Sequence, residues 1–182
     1  MTSQKFAPTH QNNLDQLAPE LQFRQEELAD GNWIEELHGN CFGPGRFARA
    51  AFRIRERFGI DERLCLVAEL NGVPVANVKM SAINVAGHNG YLLGPLATDP
   101  TKRKLGAGKG LVTEVANRAF EIDTCEFVLL VGDAPYYGPL GFKPTLPERI
   151  IFPAPVDPSR VLVSTKDDTL GKRLNGPISK WV

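Results

Sequence analysis

Arg103-Lys104-Leu105-Gly106-Ala107-Gly108-Lys109 lies between stretches of different rhythm. Before it, Tyr91 to Thr98 is largely apolar and leads into Asp99-Pro100. After it, Leu111, Val112, Val115, Ala116, Ala119 and Phe120 recur at helical spacing. Phe127-Val128-Leu129-Leu130-Val131 then runs unbroken, as a strand covered on both faces does. Strand, turn, helix and strand predict a β-α-β unit with parallel strands and a right-handed crossover.

Working outward, Leu64 to Ala68 reads as a strand and Asn71-Gly72 as a two-residue hairpin turn. Val73 to Val85 returns as a longer strand. A turn from Ala86 to Gly90 leads into Tyr91, completing a three-strand antiparallel meander. Leu21 to Glu26 predicts a first strand and Asn32 to Cys41 a first helix. Gly43-Pro44-Gly45 breaks the chain. A second helix follows, on which Phe47, Ala50, Ala51, Ile54 and Phe58 share a face. Arg46, Arg49, Arg53 and Arg57 fall on another face, either a solvated stripe or a basic wall beside a cleft. A last strand is expected at Arg160 to Ser164. The sum is one α/β domain over residues 20–182 after a flexible leader over 1–19. Its sheet is mixed and mostly antiparallel, with flanking helices.

The 182 residues are 42% hydrophobic and 23% charged, a globular profile. Lys plus Arg and Asp plus Glu number 21 each, which argues against nucleic acid as a partner. Three widely spaced cysteines form no C-x-x-C pair and fit a reducing compartment better than a disulfide or zinc framework. The first residues lack the apolar core of a signal peptide, and no apolar run approaches the roughly 18 residues of a membrane span. The expectation is a cytoplasmic protein with no metal and no membrane partner.

The turn carries the chemistry. The first turn of a helix has backbone N–H groups without internal partners, and its dipole favours an anion there. Gly106 and Gly108 allow a phosphate close to the backbone, and Lys102, Arg103, Lys104 and Lys109 add positive charge. A P-loop fails, because Gly110 follows Gly108-Lys109 and Arg103 stands where the first glycine belongs. A dinucleotide fingerprint starting at Gly106 fails at Leu111.

The string R-x-x-G-x-G resembles the pyrophosphate-binding motif of the GNAT acetyltransferases. Leu93 to Pro100 resembles that family's fourth strand, and Gly94-Pro95 within it predicts a bulge or splay. Tyr137 to Phe142 resembles the family's second signature, Y-x-x-x-G-F. Gly43 to Phe47 and Val131 to Phe142 resemble strings of a subgroup of small bacterial acetyltransferases. The likeness spans roughly Glu20 to Ser164.

The resemblance implies acetyl-CoA as co-substrate, held by Leu96, Ala97, Thr98, Arg103, Lys104, Leu105, Gly106, Ala107, Gly108 and Lys109. It implies an oxyanion held by a backbone N–H near Leu96 or Ala97, and Tyr137 as the acid that protonates the departing thiolate. Tyr136 is assigned to packing. The acceptor would be an amine of a small molecule or peptide, and a homodimer is left open. Lys104 departs from the glycine or polar residue commonly found after the arginine. Glu69, Asp133 and His88 are weighed as a base and none is chosen; Asp133 is equally a helix N-cap, and His88 reads as a solvated loop residue. The alternative is a non-catalytic acyl-CoA-binding or regulatory module on the same scaffold.

Overall fold

The computed structural model describes residues 20–181; the expected leader over residues 1–19 lies outside the described residues. Six elements come first: β1 (Leu21–Gln25), α1 (Gly31–Phe42), α2 (Ala50–Phe58), β2 (Leu66–Leu70), β3 (Val73–Val85) and β4 (His88–Thr98). Next come α3 (Ala107–Glu121), β5 (Phe127–Val131), α4 (Ala134–Tyr137) and β6 (Lys143–Pro144). The last are β7 (Ile150–Ile151), β8 (Val161–Thr165), α5 (Leu170–Arg173), β9 (Gly176–Pro177) and β10 (Ser179–Lys180). The main sheet runs β1-β2-β3-β4-β5-β8-β6, with β10 added to β3, while β7 and β9 pair separately. Within the main sheet β4 and β5 are parallel and the other pairs antiparallel, as the β-α-β reading predicts.

The sheet is apolar on both faces because a helix covers each. On one face the α3 stripe of Leu111, Val112, Val115 and Ala119 meets Val78, Met80, Leu93 and Val128. On the other, Ile54 of α2 packs with Leu92, Phe127, Leu129 and Val163. Each such large side chain contributes about 1.5–3 kcal/mol by leaving water.

The middle of β4 breaks this regularity. Val78 pairs with Leu96 but Met80 with Leu93, so Gly94 and Pro95, joined by a cis peptide, together face Lys79. β4 and β5 pair only over Gly90–Leu92 and Phe127–Leu129. From Leu93 onward the β5 side of β4 has no strand partner, and the sheet opens there, as Gly94-Pro95 predicts.

Between α1 and the sheet lies a buried polar chain. His38 is 0% exposed, and its Nε2 stands 3.2 Å from Asn77 Oδ1. Asn77 Nδ2 donates to Glu26 Oε2 at 3.1 Å, and Lys79 Nζ to the same oxygen at 2.6 Å. His38 Nδ1 is buried with no partner among the described residues. Burial, followed by the charges of Arg55 and Lys79, pushes the His38 pKa down to about 4.

Several boundaries differ from the sequence expectation. α2 starts at Ala50, because Pro44–Ala48 forms a 3-10 turn after Gly43. Phe47 is therefore 52% exposed, and Phe52 takes the buried place. β2 starts at Leu66, since Asp61 caps a 3-10 turn over Glu62–Leu64. The β3–β4 turn is only Ala86-Gly87, and Asn84 Oδ1 accepts the Gly87 N–H at 3.0 Å. His88 is thus in β4, where its Nδ1 lies 2.9 Å from Glu126 Oε2 instead of being free in solvent. Of the arginines, Arg46 lies outside α2 and pairs with Glu35, Arg49 stands at the α2 N-cap, and Arg53 pairs with Glu56.

Candidate active site

Two turns prepare the start of α3. Asp99 accepts the Thr101 N–H at 2.8 Å, which holds its carboxyl below the usual range, and Pro100–Lys102 form a 3-10 turn. Gly106, at φ 89°, then reverses the chain into the helix. The first helical bond runs from Gly110 N to Gly106 O at 2.8 Å. The N–H groups of Ala107, Gly108 and Lys109 have no partner among the described residues, so three donors stay available at the positive end of the dipole. Lys104 has φ 76°, a left-handed conformation that glycine adopts without strain. No carboxylate lies within 4.0 Å of Lys102, Arg103, Lys104 or Lys109 among the described residues.

A cleft of 810 Å³ opens at this turn. Arg103, Lys104, Gly106, Ala107, Gly108 and Lys109 line it from the loop and α3. Leu96, Ala97 and Thr98, paired with β3 but not with β5, line it from β4, and Tyr137 lines it from α4. Leu105, 46% exposed, is the one expected residue that does not line it. Cys41 and Phe42 line it too, and sequence reasoning missed them. They end α1 just before Gly43-Pro44-Gly45, where nothing local signals a cleft. Cys41 Sγ bonds the Thr98 carbonyl at 3.3 Å, tying α1 to β4.

Both tyrosines of the second signature reach this cleft. A Cβ on Gly108 would stand 2.8 Å from the Tyr136 hydroxyl and 3.0 Å from Thr98 Oγ1, so only glycine keeps that approach clear. Lys109 Nζ lies 5.7 Å from the Tyr136 ring centre. Tyr136 thus borders the start of α3 as well as packing against Tyr137. The Tyr137 ring lies against Gly132 at the end of β5, where an added Cβ would meet Cε2 at 2.2 Å. Its hydroxyl makes no hydrogen bond to protein among the described residues. Burial, then the neighbouring Tyr136 and Asp133, push its pKa up to about 12.

A second cavity of 340 Å³ adjoins the first, and the two share Phe42, Leu96, Asp133 and Tyr137. Asp133 stands at the N-cap of α4 without a side-chain capping bond, and its Oδ1 lies 3.2 Å from Arg160 Nε. Glu69 lines neither cavity and holds Arg24 Nε at 2.7 Å. His88 likewise lines neither. Among the described residues no group of three or more His, Cys, Asp or Glu side chains could hold a metal ion.

No curated protein sequence matches the chain. In fold it is similar to a GNAT family N-acetyltransferase (YhbS) of Escherichia coli solved with CoA. That pair has 23% identity, a TM-score of 0.70, and coverage of 90% of this chain and 91% of the other. A GNAT family acetyltransferase of Brucella melitensis, solved with acetyl-CoA, has 19% identity and a TM-score of 0.63 over 90% and 97% of the two chains. Naa50 of Arabidopsis thaliana, solved with a bisubstrate analogue, has 14% identity and a TM-score of 0.57 over 80% and 98%. The sequence model of the acetyltransferase (GNAT) family matches residues 32–142, more than half of the chain and the whole span from α1 to Phe142. The chain therefore belongs to the acetyltransferase (GNAT) family.

Proposed function

We propose that the protein transfers an acetyl group from acetyl-CoA to a primary amine by direct attack in a ternary complex. The observation that carries this reading is the junction at Tyr137. There a cleft lined by cations with no carboxylate partner among the described residues meets a second, smaller cavity on the open part of the sheet.

The free N–H groups of Ala107, Gly108 and Lys109, with Arg103 and the three lysines, suit the pyrophosphate of acetyl-CoA. The pantetheine arm of acetyl-CoA would lie along Leu96 to Thr98, whose strand edge has no β5 partner, and a backbone N–H near Leu96 or Ala97 would hold the oxyanion. The neutral amine attacks the thioester carbon. Its C–N bond forms, the C–S bond breaks, and the amine proton is balanced by one gained at sulfur. Amide and CoA thiol are the products.

In this reading Tyr137 donates at the sulfur, supported by a hydroxyl with no protein partner among the described residues. Its pKa of about 12 keeps it protonated throughout the neutral range. Full proton transfer to a thiolate of pKa about 8.5 is then uphill by about 5 kcal/mol. Tyr137 therefore acts first as a hydrogen-bond donor to the developing thiolate and gives up its proton only as that bond forms. Neither cavity demands a single carboxylate base. Asp133 at the junction attracts the incoming ammonium, and water carries the proton away. Three unpaired cysteines and a co-substrate such as acetyl-CoA fit a cytoplasmic setting.

The test is CoA release over a panel of amines with Tyr137→Phe alongside. The variant lowers kcat by about 10²–10⁴-fold while acetyl-CoA affinity holds. Because burial raises the Tyr137 pKa to about 12, the wild-type rate shows no loss from Tyr137 deprotonation across the neutral range. Full activity in Tyr137→Phe removes it as the acid. No release with any amine despite binding leaves the acyl-CoA-binding module.

A further inference from the structure

The second cavity has its own chemistry. At 340 Å³ it lies at the lower end of small-ligand pockets, sized for a compact acceptor. Phe42, Phe52 and Val156 make much of its lining apolar, and it carries four charged side chains: Arg49, Asp133, Asp157 and Arg160.

Three of these already have an ionic or hydrogen-bonding partner within the protein. Asp133 and Arg160 pair at 3.2 Å. Asp157 accepts the Ser159 N–H at 2.9 Å and its hydroxyl at 2.7 Å. Arg49 differs. Its guanidinium lies 5.1 Å from the Phe42 ring centre, and no carboxylate stands within 4.0 Å of it among the described residues. A cation resting on an aromatic face beside an apolar cavity is available to an incoming anion, and a guanidinium matches a carboxylate with two parallel bonds. The adjacent start of α2 has the same sign: Ala50, Ala51 and Phe52 border the cavity, and Arg49 supplies no side-chain cap.

We propose that this cavity takes a small amine that also carries a carboxylate, the α-amino acid class with an apolar side chain. Arg49 holds the carboxylate, the aromatic wall takes the apolar body, and the amine stands at the Tyr137 and Asp133 junction. The position of the amine rests on the acetyl-transfer reading; the carboxylate site rests on Arg49 and the cavity alone.

The experiment is equilibrium binding to the full chain saturated with CoA. The probes are leucine, methionine and phenylalanine, each beside its α-amide, which keeps the amine and removes the anion. Wild type binds at least one acid about tenfold more tightly than its amide. Arg49→Ala erases that preference with unchanged acetyl-CoA affinity and thermal midpoint, while Arg49→Lys keeps part of it. Equal binding of acid and amide, no binding of any acid, or a preference that survives in Arg49→Ala overturns the proposal. Arg49-dependent binding of acids by a protein that takes up no acetyl-CoA would remove the acetyl-transfer reading and leave the carboxylate site standing.

Discussion

Acid should loosen this protein through His38 before its carboxylates titrate. The imidazole is fully buried between α1 and the sheet, and its pKa is held down at about 4 against 6.5 for an ordinary histidine. The folded state therefore resists a proton that the unfolded chain takes up readily. Between these values the unfolded state binds more protons, so stability falls as pH falls. The slope is about 1.2 kcal/mol per pH unit near pH 5. The full shift of 2.5 units, 6.5 minus 4, amounts to about 3 kcal/mol, a large share of a typical domain's 5–15 kcal/mol. Asp30, Glu35 and Asp61 have lowered carboxyl pKa values, so their contribution is lost mainly below this window. The assay is urea unfolding from about pH 7.5 to about pH 4.5 for wild type and His38→Gln, whose amide can still meet Asn77. Wild type loses about 2.5 kcal/mol more than the variant over that range. Parallel pH dependences in the two proteins, or a wild type that gains stability on acidification, would refute the argument.

Two further perturbations probe the turn. Gly108→Ala places a methyl 2.8 Å from the Tyr136 hydroxyl at the helix start, so acetyl-CoA affinity by calorimetry should fall about tenfold or more. An unchanged affinity would mean that nothing binds close to that backbone. Lys104→Gly relieves a side chain held at φ 76° and should raise stability by about 0.5–1 kcal/mol in urea, after the extra freedom glycine gives the unfolded chain. A loss of stability would show that Lys104 makes up for its backbone elsewhere.

The parts of the fold legible in the sequence are those governed by local rules. The α3 stripe, the unbroken β5 run, the Asn71-Gly72 turn and the Gly94-Pro95 irregularity each carry a short-range signature, and each has its expected place in the structure. Ala86-Gly87 is harder to read, because alanine seldom occupies φ 54° and the neighbouring Gly90 suggests a longer turn. Phe47 falls outside α2 because Pro44–Ala48 forms a 3-10 turn, while Ala50 and Ile54 keep the buried face that the spacing predicts. The basic glycine turn before α3 is readable because it is one continuous segment. The second cavity is not: it joins the start of α2, the middle of β4 and the loop at Pro155–Arg160, which only the sheet order brings together. Cys41 and Phe42 are hidden for the same reason.

The most direct test is a calorimetric titration of acetyl-CoA into wild type and Arg103→Ala, with ATP as competitor. The account predicts binding that weakens in the variant and that ATP does not displace. A well-folded wild type that binds no acetyl-CoA, or that binds ATP equally well, would contradict it.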